Sequence, residues 1–129
     1  MGILMEVHHD GEDDDEKITI PEFAEVYEID GPFFFGIATK FEEMARTRSS
    51  ATVRIIRMRK VSFIDATGLH NLEIFVDASV ENGRKIILSG VNESVYKSLD
   101  RSGLVDKIGK ENILSSIHAA LDRSFEVVQ

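Results

Sequence analysis

Short apolar runs of strand length alternate along this chain with stretches where apolar residues return every three or four positions. That change of period, from two to 3.6, predicts strands separated by helices. Phe23–Ile29 and Phe33–Ile37 flank Asp30-Gly31-Pro32, so they read as an antiparallel hairpin, with the three phenylalanines as core packing. Thr39 stands three residues before Glu42, the spacing of a capping box, and opens a helix running to about Arg48. Thr52–Met58 is β-branched and predicts a strand covered on both faces. Leu69, Leu72, Val76 and Val80 then mark one face of a helix ending at Asn82-Gly83, with Gly83 as its left-handed terminator.

Lys85–Gly90 predicts a further buried strand, and the strand, helix, strand unit implies a parallel pair. Asn92 caps a short helix carrying Val95 and Leu99, and Gly103 closes it. Leu104, Val105 and Ile108 give one more apolar turn before a short edge strand near Ile113. Ser115 or Ser116 opens a last helix with Ile117, Leu121, Phe125 and Val128 on one face. The expected fold is a single-domain α/β sandwich: a mixed, mostly parallel sheet opened by a β-hairpin and packed by four to five helices.

Charge changes the picture at one end only. The formal net charge is -8, yet residues 1–16 hold seven acids and no lysine or arginine, while the remainder holds 16 acids and 15 bases. The body is therefore nearly neutral, without the basic stripe of a nucleic-acid binder. Residues 1–17 read as an acidic disordered linker or added tail, and 18–129 as the folded domain. His8 and His9, adjacent in that tail, read as solvated rather than metal-binding. The absence of cysteine excludes thiol catalysis and disulfides. No apolar run has the roughly 18 residues of a membrane span, and no basic residue precedes Ile3-Leu4-Met5 as a secretory signal requires.

Candidate chemistry concentrates where the central strand meets the central helix, at Asp65-Ala66-Thr67-Gly68-Leu69-His70. Asp65 or Thr67 is the expected helix cap. Thr67 is also a hydroxyl that a kinase could reach, and a phosphate there would bring nearly two negative charges close to Asp65. A Thr67, His70 and Asp65 triad is a poor fit, because one short turn cannot place a base between hydroxyl and acid. Neither a nucleophile elbow nor a phosphate-binding loop is present. A non-enzyme with no cofactor is the expectation. A nucleotide is the one alternative that the helix terminus physically admits, although Gly68 is the turn's only glycine.

Val61-Ser62-Phe63-Ile64-Asp65-Ala66-Thr67-Gly68-Leu69-His70-Asn71-Leu72 resembles the signature of the STAS domain, shared by sulfate transporters and anti-sigma-factor antagonists. The resemblance covers about residues 20–128. In the antagonist branch the motif looks like Asp-Ser-Ser-Gly-Leu and its second hydroxyl is phosphorylated. Thr67 stands at that position here, and Ala66 replaces the first hydroxyl. Leu69-His70 and the approach from Val61 look more like the cytoplasmic C-terminal domain of SulP-family anion transporters. The resemblance implies a regulatory, protein-interaction role at the cytoplasmic side of the membrane. Its implied partners are the transporter's membrane domain, another copy of the chain, or a cytosolic protein or kinase, with Asp65, Thr67, Gly68, Leu69 and His70 as the docking face. A free-standing partner-switching protein controlled through Thr67 is the alternative.

Overall fold

The computed structural model describes residues 4–8, 19–30 and 51–128. Among these residues five strands form one sheet in chain order: β1 (Leu4–His8), β2 (Ala24–Asp30), β3 (Val53–Lys60), β4 (Lys85–Ser89) and β5 (Ile113–Leu114). β2 to β5 run parallel and β1 pairs antiparallel with β2, so the sheet is mixed and mostly parallel as expected. The described helices are α1 (Ala66–Glu81), α2 (Glu93–Ser102), α3 (Leu104–Ile108) and α4 (Ile117–Val127), with a single 3-10 turn at Lys110–Asn112.

Strand alternation sorts the core into two layers. Ile56 and Met58 of β3 and Ile86 and Leu88 of β4 join Leu72, Phe75, Val95, Leu99 and Val105 on the face covered by α1, α2 and α3. Val53, Ile55 and Ile87 point the other way and meet Ile117, Ala120 and Leu121 of α4. The short helices follow their caps. Asn92 Oδ1 accepts from Val95 N at 2.7 Å to start α2, and Gly103, at φ 89°, both ends α2 and turns the chain into α3. Of the two serines offered for the last helix, Ser116 is the cap, its Oγ accepting from Ala119 N at 3.1 Å.

Three expectations are corrected. The antiparallel partner of β2 among the described residues is β1, and β3 pairs parallel along its other edge. The expected second hairpin strand, Phe33–Ile37, and the helix expected over 39–48 lie outside the described residues. Leu4–His8, inside the lead read as a disordered tail, is a strand, because an open sheet edge supplies ladder hydrogen bonds that composition does not register. The face of α1 also turns slightly from the expected stripe. Gly68, Asn71, Leu72, Phe75, Val76 and Ser79 are buried, while Val80 is exposed and Ser79, over Arg54 of β3, takes the inward position of the last turn.

The strand read as apolar on both faces carries two buried arginines. Arg54 lies on the α1 face, where Nη1 donates to Ser79 Oγ at 3.1 Å, Nε sits 3.4 Å from Glu25 Oε1, and the guanidinium lies 5.6 Å from the centre of the Phe75 ring. Burial lowers its pKa from the ordinary arginine value. Tyr27 completes this network by donating to Glu25 Oε1 at 2.7 Å. Burial and that acceptor push its phenol well up.

Candidate functional site

Five residues connect β3 to α1, and they divide by burial. Val61 and Ile64 insert into the core, whereas Ser62 and Phe63 face outward, Phe63 with 46% of its surface exposed. The two apolar anchors leave the chain between them raised from the molecule like a handle. Asn92 holds that handle from the neighbouring loop: Nδ2 donates to Val61 O and to Ser62 O, each at 3.2 Å. One side chain therefore caps α2 and braces the turn that leads into α1.

Asp65, in extended conformation, is the N-cap of α1, and its Oδ1 accepts from Gly68 N at 2.8 Å. Its carbonyl accepts the first helical bond, from Leu69 N at 2.9 Å. Of the two caps the sequence admits, Asp65 takes the position. Its carboxylate satisfies one of the amides that a helix start leaves over, and its charge suits the positive end of the dipole. Ala66 and Thr67 occupy the first two helical positions and are exposed. Gly68 is buried, Leu69 is half-buried against the α1-side core, and His70 is exposed.

Of the residues singled out from sequence, Asp65 and Gly68 are bonded together and shape the turn. Thr67 and His70 stand on its outer surface, and Leu69 is partly buried against the α1-side core. The outward exposure of Phe63 and the bracing bonds of Asn92, beyond its cap, escaped the sequence reading. Phe63 carried a signal, an aromatic residue inside a polar connection, but its anchoring neighbours hid which way it faces. One turn further along α1, Lys107 Nζ of α3 reaches Glu73 Oε2 at 2.7 Å and Asp77 Oδ1 at 3.1 Å. The hydrogen bond and charge of Lys107 hold the Glu73 carboxyl below its ordinary value. Among the described residues no group of three or more His, Asp or Glu is placed to hold a metal ion, and no helix is long and apolar enough to cross a membrane.

The family model of the STAS domain matches residues 17–120. The chain belongs to the STAS family. A sulfate transporter family protein from Wolinella succinogenes is similar at 37% identity and TM-score 0.82, over 91% of this chain and 98% of that one. The SulP transporter STAS domain from Vibrio cholerae is similar at 31% identity and TM-score 0.76, over 88% and 90%. The anti-sigma factor antagonist SpoIIAA, at 18% identity and TM-score 0.63 over 86% and 96%, shares the fold. Among curated proteins none matches significantly. This STAS domain thus resembles transporter STAS domains in sequence and fold, and antagonists in fold.

The Asn92 brace can be separated from the Asn92 cap. Asn92→Ser keeps a capping oxygen but is too short to reach Val61 O and Ser62 O. The expected cost is about 0.5–1.5 kcal/mol, the net worth of lost neutral hydrogen bonds. Amide hydrogen exchange should quicken over residues 61–65 while α2 keeps its protection. Equal loss of protection in α2 would show that the shorter side chain fails as a cap and that the two roles are inseparable.

Proposed function

We propose that this STAS domain is a non-catalytic, cytoplasmic regulatory and protein-interaction domain of a SulP-type secondary anion transporter, of sulfate, bicarbonate or dicarboxylate. The observation that carries the reading is the 37% identity to a sulfate transporter family protein over nearly the whole of both chains. In this reading the partners are the transporter's membrane domain, a second copy of the domain or a cytosolic protein. They dock on the raised turn, where Phe63, Thr67 and His70 are exposed on a support held by Asp65 and Asn92. A capped helix start with a braced approach loses little entropy on docking, which is what makes it a recognition surface rather than a flexible loop.

In the corresponding full-length transporter, Thr67→Glu and Phe63→Glu should change anion uptake while leaving the isolated domain folded. Both side chains are exposed, so stability should stay within about 0.5 kcal/mol of the parent for Thr67→Glu. Leu69→Glu is the less informative variant, because Leu69 packs against the core. Unchanged uptake rates in both exposed variants, at equal surface expression, would remove the turn from regulation.

A second reading, a partner-switching protein controlled by phosphorylation at Thr67, is favoured by the position of that hydroxyl. Thr67 is exposed and is the second residue of α1, where the helix dipole stabilises a phosphate. The same phosphate stands two residues from the Asp65 carboxylate, so modification would both strengthen and strain the helix start. Incubation with cognate kinases followed by mass spectrometry tests this reading. No phosphate on Thr67 with any of them would count against it and leave the transporter reading intact.

A further inference from the structure

On the opposite face of the sheet from α1, the carboxyl ends of β3, β4 and β5 meet the start of α4 around a cleft of about 320 Å3. Arg57, Arg59, Ser89, Gly90, Ser115 and Ser116 line it, with no carboxylate among the described residues of its wall. The alternation of β3 explains why both arginines arrive there: residues 53, 55, 57 and 59 share the α4 face. Arg57 is 2% exposed, and Arg59 keeps 24% of its side chain accessible. Beside them stands Glu28 of β2, which takes Arg59 Nε at 2.8 Å and lies 3.8 Å from Lys60 Nζ. Burial pushes the Glu28 carboxyl up, yet the hydrogen bond from Arg59 and the charges of Arg59, Lys60 and Arg57 outweigh that and hold it below its ordinary value. Three cationic side chains, Arg57, Arg59 and Lys60, therefore gather around one carboxylate at this end of the sheet.

We propose that this cleft binds a tetrahedral oxyanion, a sulfate or phosphate group, held by the guanidinium groups of Arg57 and Arg59 and the hydroxyls of Ser89 and Ser115. Guanidinium groups present forked donors that match such oxygens, and a buried one is already desolvated for the contact. Ser116 starts α4 at the wall of the cleft, so the positive end of an 11-residue helix adds to the same field. The volume lies at the lower end of small-molecule pockets, about 300–1,000 Å3, and leaves room for a small organic group carrying the oxyanion. Gly90 makes the geometry possible. It has φ 70°, and a Cβ there would lie 2.9 Å from Arg59 N, so the end of β4 runs hard against the residue that carries the second guanidinium. The cleft lies on the α4 face of the sheet, whereas α1, which the docking turn opens, packs on the other face.

The test is an amide NMR titration of the 129-residue chain with sodium sulfate, sodium phosphate and glycerol phosphate, each balanced against sodium chloride at constant ionic strength. Saturable shifts at Gly90, Ser116 and Ile117 with an oxyanion and not with chloride are expected. Tighter binding of glycerol phosphate would assign the cleft to a phosphate monoester, and equal or weaker binding to the free ion. Ser115→Glu changes an exposed residue and sets a carboxylate in the cleft. It should weaken binding about tenfold or more, as should Arg59→Gln, the loss of a charged hydrogen bond. Thr67→Glu should bind as the parent does, whatever becomes of the regulatory reading. Shifts that follow chloride equally, or that Ser115→Glu leaves unchanged, would overturn the proposal.

Discussion

Phe75→Ala is expected to destabilise the domain by about 3–5 kcal/mol, the usual range for truncating a buried phenylalanine. The ring is 1% exposed, meets Tyr27 edge-on with centroids 6.2 Å apart, and lies under the Arg54 guanidinium at 5.6 Å. Its removal would leave a cavity and also take the aromatic face from a charge that is itself fully buried. Since domains of this size are stable by about 5–15 kcal/mol, the variant should unfold at far lower urea. Phe75→Leu refills most of the volume but offers Arg54 no π face, so its midpoint should fall between those of the parent and the alanine variant. A loss under about 1 kcal/mol for Phe75→Ala would contradict the packing of Arg54 in the α1-side core, because a well-packed ring cannot be lost so cheaply.

Gly90→Ala should cost about 2–4 kcal/mol, and the reason divides into two parts that a control can separate. One part is conformational: at φ 70° an alanine lies in the left-handed region. The other is steric, because its Cβ would fall 2.9 Å from Arg59 N and 3.0 Å from Arg59 Cα, which are backbone atoms of the central strand and cannot rotate away. Gly103 has a comparable φ of 89° with nothing within 4 Å of a Cβ, so Gly103→Ala bears the first cost alone, about 1–2 kcal/mol. Equal losses in the two variants, measured by urea denaturation, would mean that β4 can withdraw from β3 at little cost.

Much of this fold could be read from periodicity and caps, since both are local. Ile86, Ile87 and Leu88 form a run that suits a strand covered on both faces, and Asn92, Gly103 and Ser116 each announce a helix boundary through their own backbone and side chain. The helix start at Asp65 was legible for the same reason, as was the outward hydroxyl of Thr67. Pairing was not. Asp30-Gly31-Pro32 is a strong local signal for a hairpin, but among the described residues β2 pairs with β1 and β3, and edge occupancy is decided by chain segments far away in sequence. Charged residues misled in the same way. Arg54 and Arg57 sit in the central strand as though apolar because groups from α1 and β2 meet them there, and no spacing rule within the strand announces those neighbours.

By itself the sequence determined the α/β character, the N-cap of α2, the short stretches in which α1 and α4 begin and the polar turn between β3 and α1, because propensity, period and capping act within a few residues. The same stretch carried the resemblance to the STAS family that the comparisons then established. Only the tertiary structure decided that Leu4–His8 completes the sheet, that Phe63 faces outward beside Thr67, that Asn92 ties two loops together, and that Arg57 and Arg59 converge on one cleft. Each of these depends on which face of the sheet a residue occupies and on what a distant segment places opposite it, and that information exists only once the strands have paired.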